Sequence, residues 1–340
     1  MSRPFPTGPS DYPVDASSRD AWVLARRGNR QDVDVWQPQA VFQEDEPADG
    51  AGSVKAVLTV ILTSRECPWR CLMCDLWRHT TPGPVPQGAI PAQLERALGQ
   101  IAAGPLPPVI KLYNSGSFFD PMAVPPADYL GIARRLAGFE RVILESHPAF
   151  VRRGLRQFQA ALAEATPTPP RIEVAMGLET AHPEALDRLN KRMSLDDFRA
   201  ATGFARENGA DVRAFVLLQP PFLPAGEAVD WAVRSAAFAF DCGVTAVSII
   251  PTRQGNGALE ALAATGAFAE PRLTQLEEAL EAAQALQQGR VFADTWDLER
   301  FSDCPVCFAA RRRRLIEMNL RQRSMAPVAC LVCGCLPESP

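Results

Sequence analysis

Apolar positions along this chain come in short continuous blocks, separated by longer stretches with helical spacing. Val54–Leu62 reads V-K-A-V-L-T-V-I-L, a β-branched run of strand length. Runs of the same kind at 108–113, 141–145, 171–176, 212–218 and 244–250 predict five further strands. Between them, 91–103, 126–137, 149–165, 182–190, 195–208 and 226–241 predict helices, and a last long helix fits 272–288. Strands that are apolar throughout belong to a parallel sheet covered on its outer face. Six strand–helix units predict an α/β fold, a partial (β/α)6 parallel barrel rather than the eight units of a closed one. Residues 1–52 are rich in Pro, Asp and Gly, show no sustained period, and predict an irregular leader packed on the domain by Trp22 and Trp36. Residues 53–290 make the barrel, and 291–340 a small cysteine-rich module.

Composition sharpens this. With 47% hydrophobic and 22% charged residues, the 340-residue chain is an ordinary globular protein. No apolar run approaches the 18 or so residues of a membrane span, and the N-terminus lacks the blocks of a secretory signal, so a cytoplasmic location is expected. A net charge of −4 excludes a globally basic nucleic-acid binder but leaves room for a local basic patch. Nine cysteines, an odd number without an export signal, point to metal or catalytic use rather than disulfides. Only three lysines occur, Lys55, Lys111 and Lys191.

The loop after the first strand holds Cys67, Cys71 and Cys74 in C-x3-C-x2-C spacing. Three thiolates can converge on one centre if the backbone wraps it, and Pro68 permits that. Three soft ligands without a neighbouring fourth suit an iron–sulfur cluster with one iron left open. The other readings are a zinc site borrowing a remote ligand, or Cys71 and Cys74 as a redox pair.

A C-x3-C-x2-C loop after the first strand of a (β/α)6 pattern resembles the radical S-adenosylmethionine (SAM) superfamily. The resemblance implies a 4Fe–4S cluster whose unique iron is chelated by SAM, an external electron donor, and reductive cleavage of SAM to a 5′-deoxyadenosyl radical that abstracts hydrogen from substrate. One departure is Met73, where the family often has an aromatic residue.

In such barrels the functional groups sit at the C-terminal strand ends, which are polar here. Ser115, Gly116 and Ser117 follow the second strand, where the family binds the SAM amino group; the plain reading is a Ser/Gly turn. Glu145 and His147 end the third strand and are candidate catalytic groups, with a satisfied structural histidine as the alternative. Gly177 and Glu179 end the fourth, placed for the SAM ribose or amino group; a helix N-terminal acid is the plain reading. Arg192 would pair with the SAM carboxylate, and Gln219 ends the fifth strand.

Together N-S-G-S-F-F-D, E-S-H-P-A-F, G-L-E-T, N-K-R-M-S and V-L-L-Q-P-P-F, over about 53–260, resemble the branch of the elongator catalytic subunit and the radical-SAM subunit of archaeosine synthase. That implies cleavage of a C–N bond on a lysine-adducted deazaguanine base of tRNA, and a partner enzyme subunit. A peptide or small-metabolite substrate is the alternative within the superfamily.

The tail carries Cys304, Cys307, Cys330 and Cys333 as two C-x2-C knuckles with a 22-residue spacer. This suits a zinc ribbon, with an auxiliary 4Fe–4S cluster as competitor and Cys335 as a substitute ligand. Between the knuckles stand Arg311, Arg312, Arg313 and Arg314, then Arg321 and Arg323, a basic face for the tRNA backbone or else a solvated helix. A non-catalytic zinc-ribbon nucleic-acid binder is the reading from another class. Cys242 is expected to be a buried thiol without a role.

Overall fold

Continuously apolar strands need cover on their outer face, and the helices supply it. The computed structural model describes residues 11–47, 53–101 and 104–334. Its strands are β1 (Ala40–Pro47), β2 (Val54–Leu62), β3 (Val109–Asn114), β4 (Arg141–Glu145), β5 (Arg171–Glu179), β6 (Asp211–Leu218), β7 (Ala246–Pro251) and β8 (Arg290–Ala293). The helices are α1 (Ala16–Ala25), α2 (Ala89–Gly99), α3 (Tyr129–Leu136), α4 (Pro148–Ala165), α5 (Pro183–Arg188), α6 (Leu195–Glu207), α7 (Ala228–Asp241), α8 (Ala258–Ala264), α9 (Leu273–Ala285) and α10 (Pro305–Arg321).

The strands form one curled sheet in chain order, a partial barrel of the α/β class, with β1 antiparallel to β2 and each later pair parallel. All six expected strands are present within a few residues. Outward-facing Leu58, Val60, Leu112, Val142, Val174 and Val212 are buried against the helical layer.

Several elements depart from the sequence expectation, α8 and β8 among them, which no predicted helix or strand covers. Within the supposedly irregular leader, α1 is a helix capped by the Asp15 side chain on the Ser18 N–H at 2.8 Å, and β1 pairs along its whole length with β2. Only Trp22 of the two leader tryptophans is buried; Trp36 is exposed. Finally, α10 packs against both edge strands, β1 and β8, across the open side of the barrel.

The barrel interior explains why β1 looked unlike a strand. Inside, a small apolar layer of Val57, Val109, Ile143 and Ala175 gives way to an ionic network. Glu173 accepts from Arg213 at 2.7 Å and Arg290 at 2.9 Å, and Arg213 also reaches Glu46 of β1 at 2.8 Å. Lys111 bonds Glu46 and, at 2.9 Å, Glu44. Burial opposes the Glu173 carboxylate, but Arg213 and Arg290 overcome it and hold its pKa at about 2. The acids of β1 are thus core residues whose partners lie far away in sequence.

Candidate active site and cysteine centre

The cysteine loop is irregular because its backbone is tied from several directions. Leu72 N–H donates to Leu189 O at 2.9 Å, Asn256 Nδ2 donates to Leu72 O at 2.7 Å, and Asn190 Nδ2 donates to Arg70 O at 2.8 Å. Glu66, beside Cys67, gathers Arg27 at 2.7 Å, Arg30 at 2.9 Å and Arg70 at 3.2 Å. Gly116 is required where the next turn passes beneath: a Cβ there would stand 2.6 Å from Arg65 O.

Cys67, Cys71 and Cys74 line one wall of a cavity of about 540 Å³ at the C-terminal ends of the strands. Ser115, Gly116, Ser117, Glu145, His147, Gly177, Glu179 and Lys191 line the rest. Burial pushes the thiols up, Cys71 to about 12 and Cys74 well above the ordinary range, so thiolates here need a metal to neutralise them. These residues fit a 4Fe–4S cluster: one buried and two half-buried cysteines, an open side facing the cavity, and a polar wall beyond.

Opposite the loop, Lys191 Nζ donates to Glu179 Oε1 at 2.7 Å. Burial works against the Lys191 ammonium, yet Glu179 and the nearby Cys71 hold its pKa above the usual lysine range. Gly177 makes room, since a Cβ there would meet Glu179 Oε1 at 2.1 Å and Lys191 Nζ at 2.6 Å.

Several expected residues take other places. Arg192 turns away from the cavity, bonding Ala16 O and pairing with Asp20 at 3.2 Å; with Asn190 and Arg192 at positive φ, it is Lys191 that faces inward. Gln219 lies outside the cavity lining, donating to Leu223 O at 2.9 Å. Ser117 Oγ accepts from His147 N–H at 2.9 Å. His147 is in the wall, but both ring nitrogens are occupied: Nδ1 accepts from Ala149 N–H at 3.2 Å, so Nε2 donates to Lys191 O at 3.1 Å. It stacks on Trp69 at 3.6 Å, and burial, then Lys191, pulls its pKa to about 3. The imidazole is thus bonded at both nitrogens and caps α4. Glu145 keeps one weak bond, from Asn114 N–H at 3.2 Å, and burial pushes it up to about 8.

Sequence comparison decides the family. The chain is 30% identical over 236 residues to archaeosine synthase subunit beta of Methanosarcina acetivorans, covering 67% of each chain. The chain belongs to the radical SAM superfamily. Within it, the family is that of archaeosine synthase subunit beta. A second archaeosine synthase subunit beta, from Thermococcus kodakarensis, is 31% identical over 196 residues, covering 54% of this chain and 59% of that one. Among solved structures, Elp3 of Methanocaldococcus infernus matches with a TM-score of 0.47 and 15% identity, over 70% of this chain and 56% of that one. No protein-family model matches.

This radical SAM chain carries a second group of cysteines in its tail. Cys304, Cys307, Cys330 and Cys333 are the one group among the described residues with three or more metal-ligating atoms all within 4.8 Å of one another. Cys304 Sγ lies 3.9 Å from Cys330 Sγ, and Cys307 Sγ 3.8 Å from Cys333 Sγ. Four thiolates about 2.3 Å from one tetrahedral ion stand about 3.8 Å apart. Thiolates on separate irons of a cluster stand wider, and the three loop sulfurs do not all lie within 4.8 Å of one another. Cys304 is the N-cap of α10, and Pro305 opens its first turn, which brings Cys307 back beside it. Arg311 Nε donates to Cys307 Sγ at 3.3 Å. Cys335 lies outside the described residues, and Cys242 is half-buried rather than buried.

The arginine run does not form a single basic face. Arg311 and Arg314 are buried in ion pairs with Glu277 of α9, and Arg314 also with Glu281. Only Arg312 and Arg313 of the four are exposed. Among the described residues, no helix is long and apolar enough to cross a membrane.

Proposed function

We propose that this chain is a radical SAM enzyme that modifies a tRNA base in the cytoplasm, breaking a C–N bond as in archaeosine formation with a partner subunit. The observation that carries the reading is the trio Cys67, Cys71 and Cys74 on the wall of a chamber whose far side holds the Glu179–Lys191 pair. When bound there, a reduced 4Fe–4S cluster supplies the electron that splits SAM into methionine and a 5′-deoxyadenosyl radical. The three thiolates of Cys67, Cys71 and Cys74 would hold the cluster. Ser115 and the turn at Gly116 stand beside it for the amino group of SAM. Lys191 offers an ammonium to its carboxylate, in the role expected of Arg192. Glu179, beside Lys191, accepts from hydroxyl or ammonium groups. The buried walls exclude water from a reactive intermediate.

The spacing of the tail sulfurs supports one zinc ion rather than an auxiliary cluster. The test is iron, sulfide and zinc per chain in anaerobic protein, beside a variant with Cys67, Cys71 and Cys74 replaced by Ala, together with 5′-deoxyadenosine release from SAM under reductant. About four irons lost in the variant with one zinc retained, and 5′-deoxyadenosine from the parent alone, is the expected result. Zinc alone, unchanged by reconstitution with iron and sulfide, overturns the reading.

A further inference from the structure

A second cavity, about 800 Å³, opens on the side of the barrel between β1, β8 and α10. It shares Leu76, Ser115, Glu145, Phe215, Ile250 and Trp296 with the cysteine chamber, so the two adjoin along these residues.

The rim is unusual in two respects. First, Phe42, Leu76, Trp296 and Ile316 are exposed large apolar residues, and all four line this cavity. Trp296 is 66% exposed and projects from the loop after β8. Clustered exposed apolar surface at a cavity mouth marks a binding site rather than chance. Second, most charges there are paired, with Asp45 exposed on the rim and Arg312 on the opposite wall. Glu44 and Glu46 face inward on Lys111 and Arg213, and Asp294 pairs with Arg253 at 2.6 Å. Glu145, pushed up by burial, adds no full negative charge at neutral pH. Arg312 is exposed on the cavity face of α10, with no hydrogen-bond or ion-pair partner among the described residues.

A flat indole surface, a guanidinium with no ion-pair partner among the described residues, and the neutral side chains of Ser248 and Asn319 suit a planar heterocycle carrying an anion. From this geometry we infer that the side cavity receives a single nucleotide of an RNA, its base stacked on Trp296 and its phosphate on Arg312. The base would thereby reach into the space under Cys67, Cys71 and Cys74. A base held in a duplex or a tertiary stack must be turned out to enter such a chamber, and an aromatic platform offsets that cost. The inference rests on the RNA substrate proposed above and adds the residues that recognise it.

The experiment measures binding of a fluorescently labelled tRNA transcript to the full chain, without iron or SAM, across a salt series. Trp296→Ala should weaken binding about tenfold and Trp296→Phe should restore most of it. Arg312→Ala should lower the slope of log affinity against log salt by about one. Wild-type binding that neither Trp296→Ala nor Arg312→Ala alters overturns the nucleotide cavity and leaves the RNA reading intact. No tRNA binding by the wild type overturns both.

Discussion

Lys191 Nζ and Glu179 Oε1 lie 2.7 Å apart across the gap left by Gly177, each about nine-tenths buried. Such a pair is expensive to break from one side. Lys191→Met should lower the unfolding free energy by about 3 kcal/mol in urea titrations, because Glu179 is left charged and alone. Lys191→Met with Glu179→Gln should recover most of that loss. Neither variant should bind SAM within tenfold of the parent once reconstituted, which separates stability from cofactor recognition.

Glu145 makes stability fall with rising pH. Its folded pKa, about 8, is raised above the ordinary 4.5, so between those values the unfolded chain releases its proton first and gains. His147, at about 3 against 6.5, acts in the opposite direction but only below pH 6.5. From pH 6.5 to 8 the parent should therefore lose about 1–2 kcal/mol relative to Glu145→Gln, read from unfolding at the two pH values.

Glu173 is fully buried between Arg213 and Arg290. Glu173→Gln leaves Arg290 without its ion-pair partner and Arg213 with Glu46 alone, and should cost about 3 kcal/mol, with a lowered midpoint and an unchanged denaturant slope.

Gly116→Ala tests the fit of the cysteine loop. The added methyl would press on backbone, the Arg65 carbonyl, which cannot swing aside like a flexible side chain. Iron retained per chain after reconstitution should fall well below the parent's, while tail zinc stays constant.

If the tail cysteines hold the zinc proposed above, removing it should loosen α10 in particular. With Cys304 and Cys307 at its first turn, chelation should lower the melting temperature and speed amide exchange across 305–321, while β3 to β6 stay protected.

Much of this was readable in the sequence, and the gaps have physical causes. The central strands were legible because their outer faces meet helices, which makes them apolar throughout. β1 was not, because E-D-E-P carries charges whose partners, Lys111 and Arg213, come together only on folding. The C-x3-C-x2-C loop was legible because covalent spacing suffices for it. The choice between Lys191 and Arg192 was not, since left-handed backbone at Asn190 and Arg192 sets which side chain faces the chamber. One signal was available: of only three lysines, two, Lys111 and Lys191, are buried in ion pairs within the barrel. In the tail, Arg311 and Arg314 share a helical face with Leu315 and Met318, a period that marks them as packed rather than presented to solvent.

The contact of α10 with β1 joins segments at 40–47 and 305–321, close to the two ends of the sequence. During synthesis the parallel strands emerge and can pair while the partner of β1's open flank is still unmade. The wall carrying Arg312 and Ile316 is the last to arrive. Barrel closure is therefore a late, high-contact-order event. A nascent or C-terminally clipped chain would hold the cysteine loop and yet lack one side of its chamber.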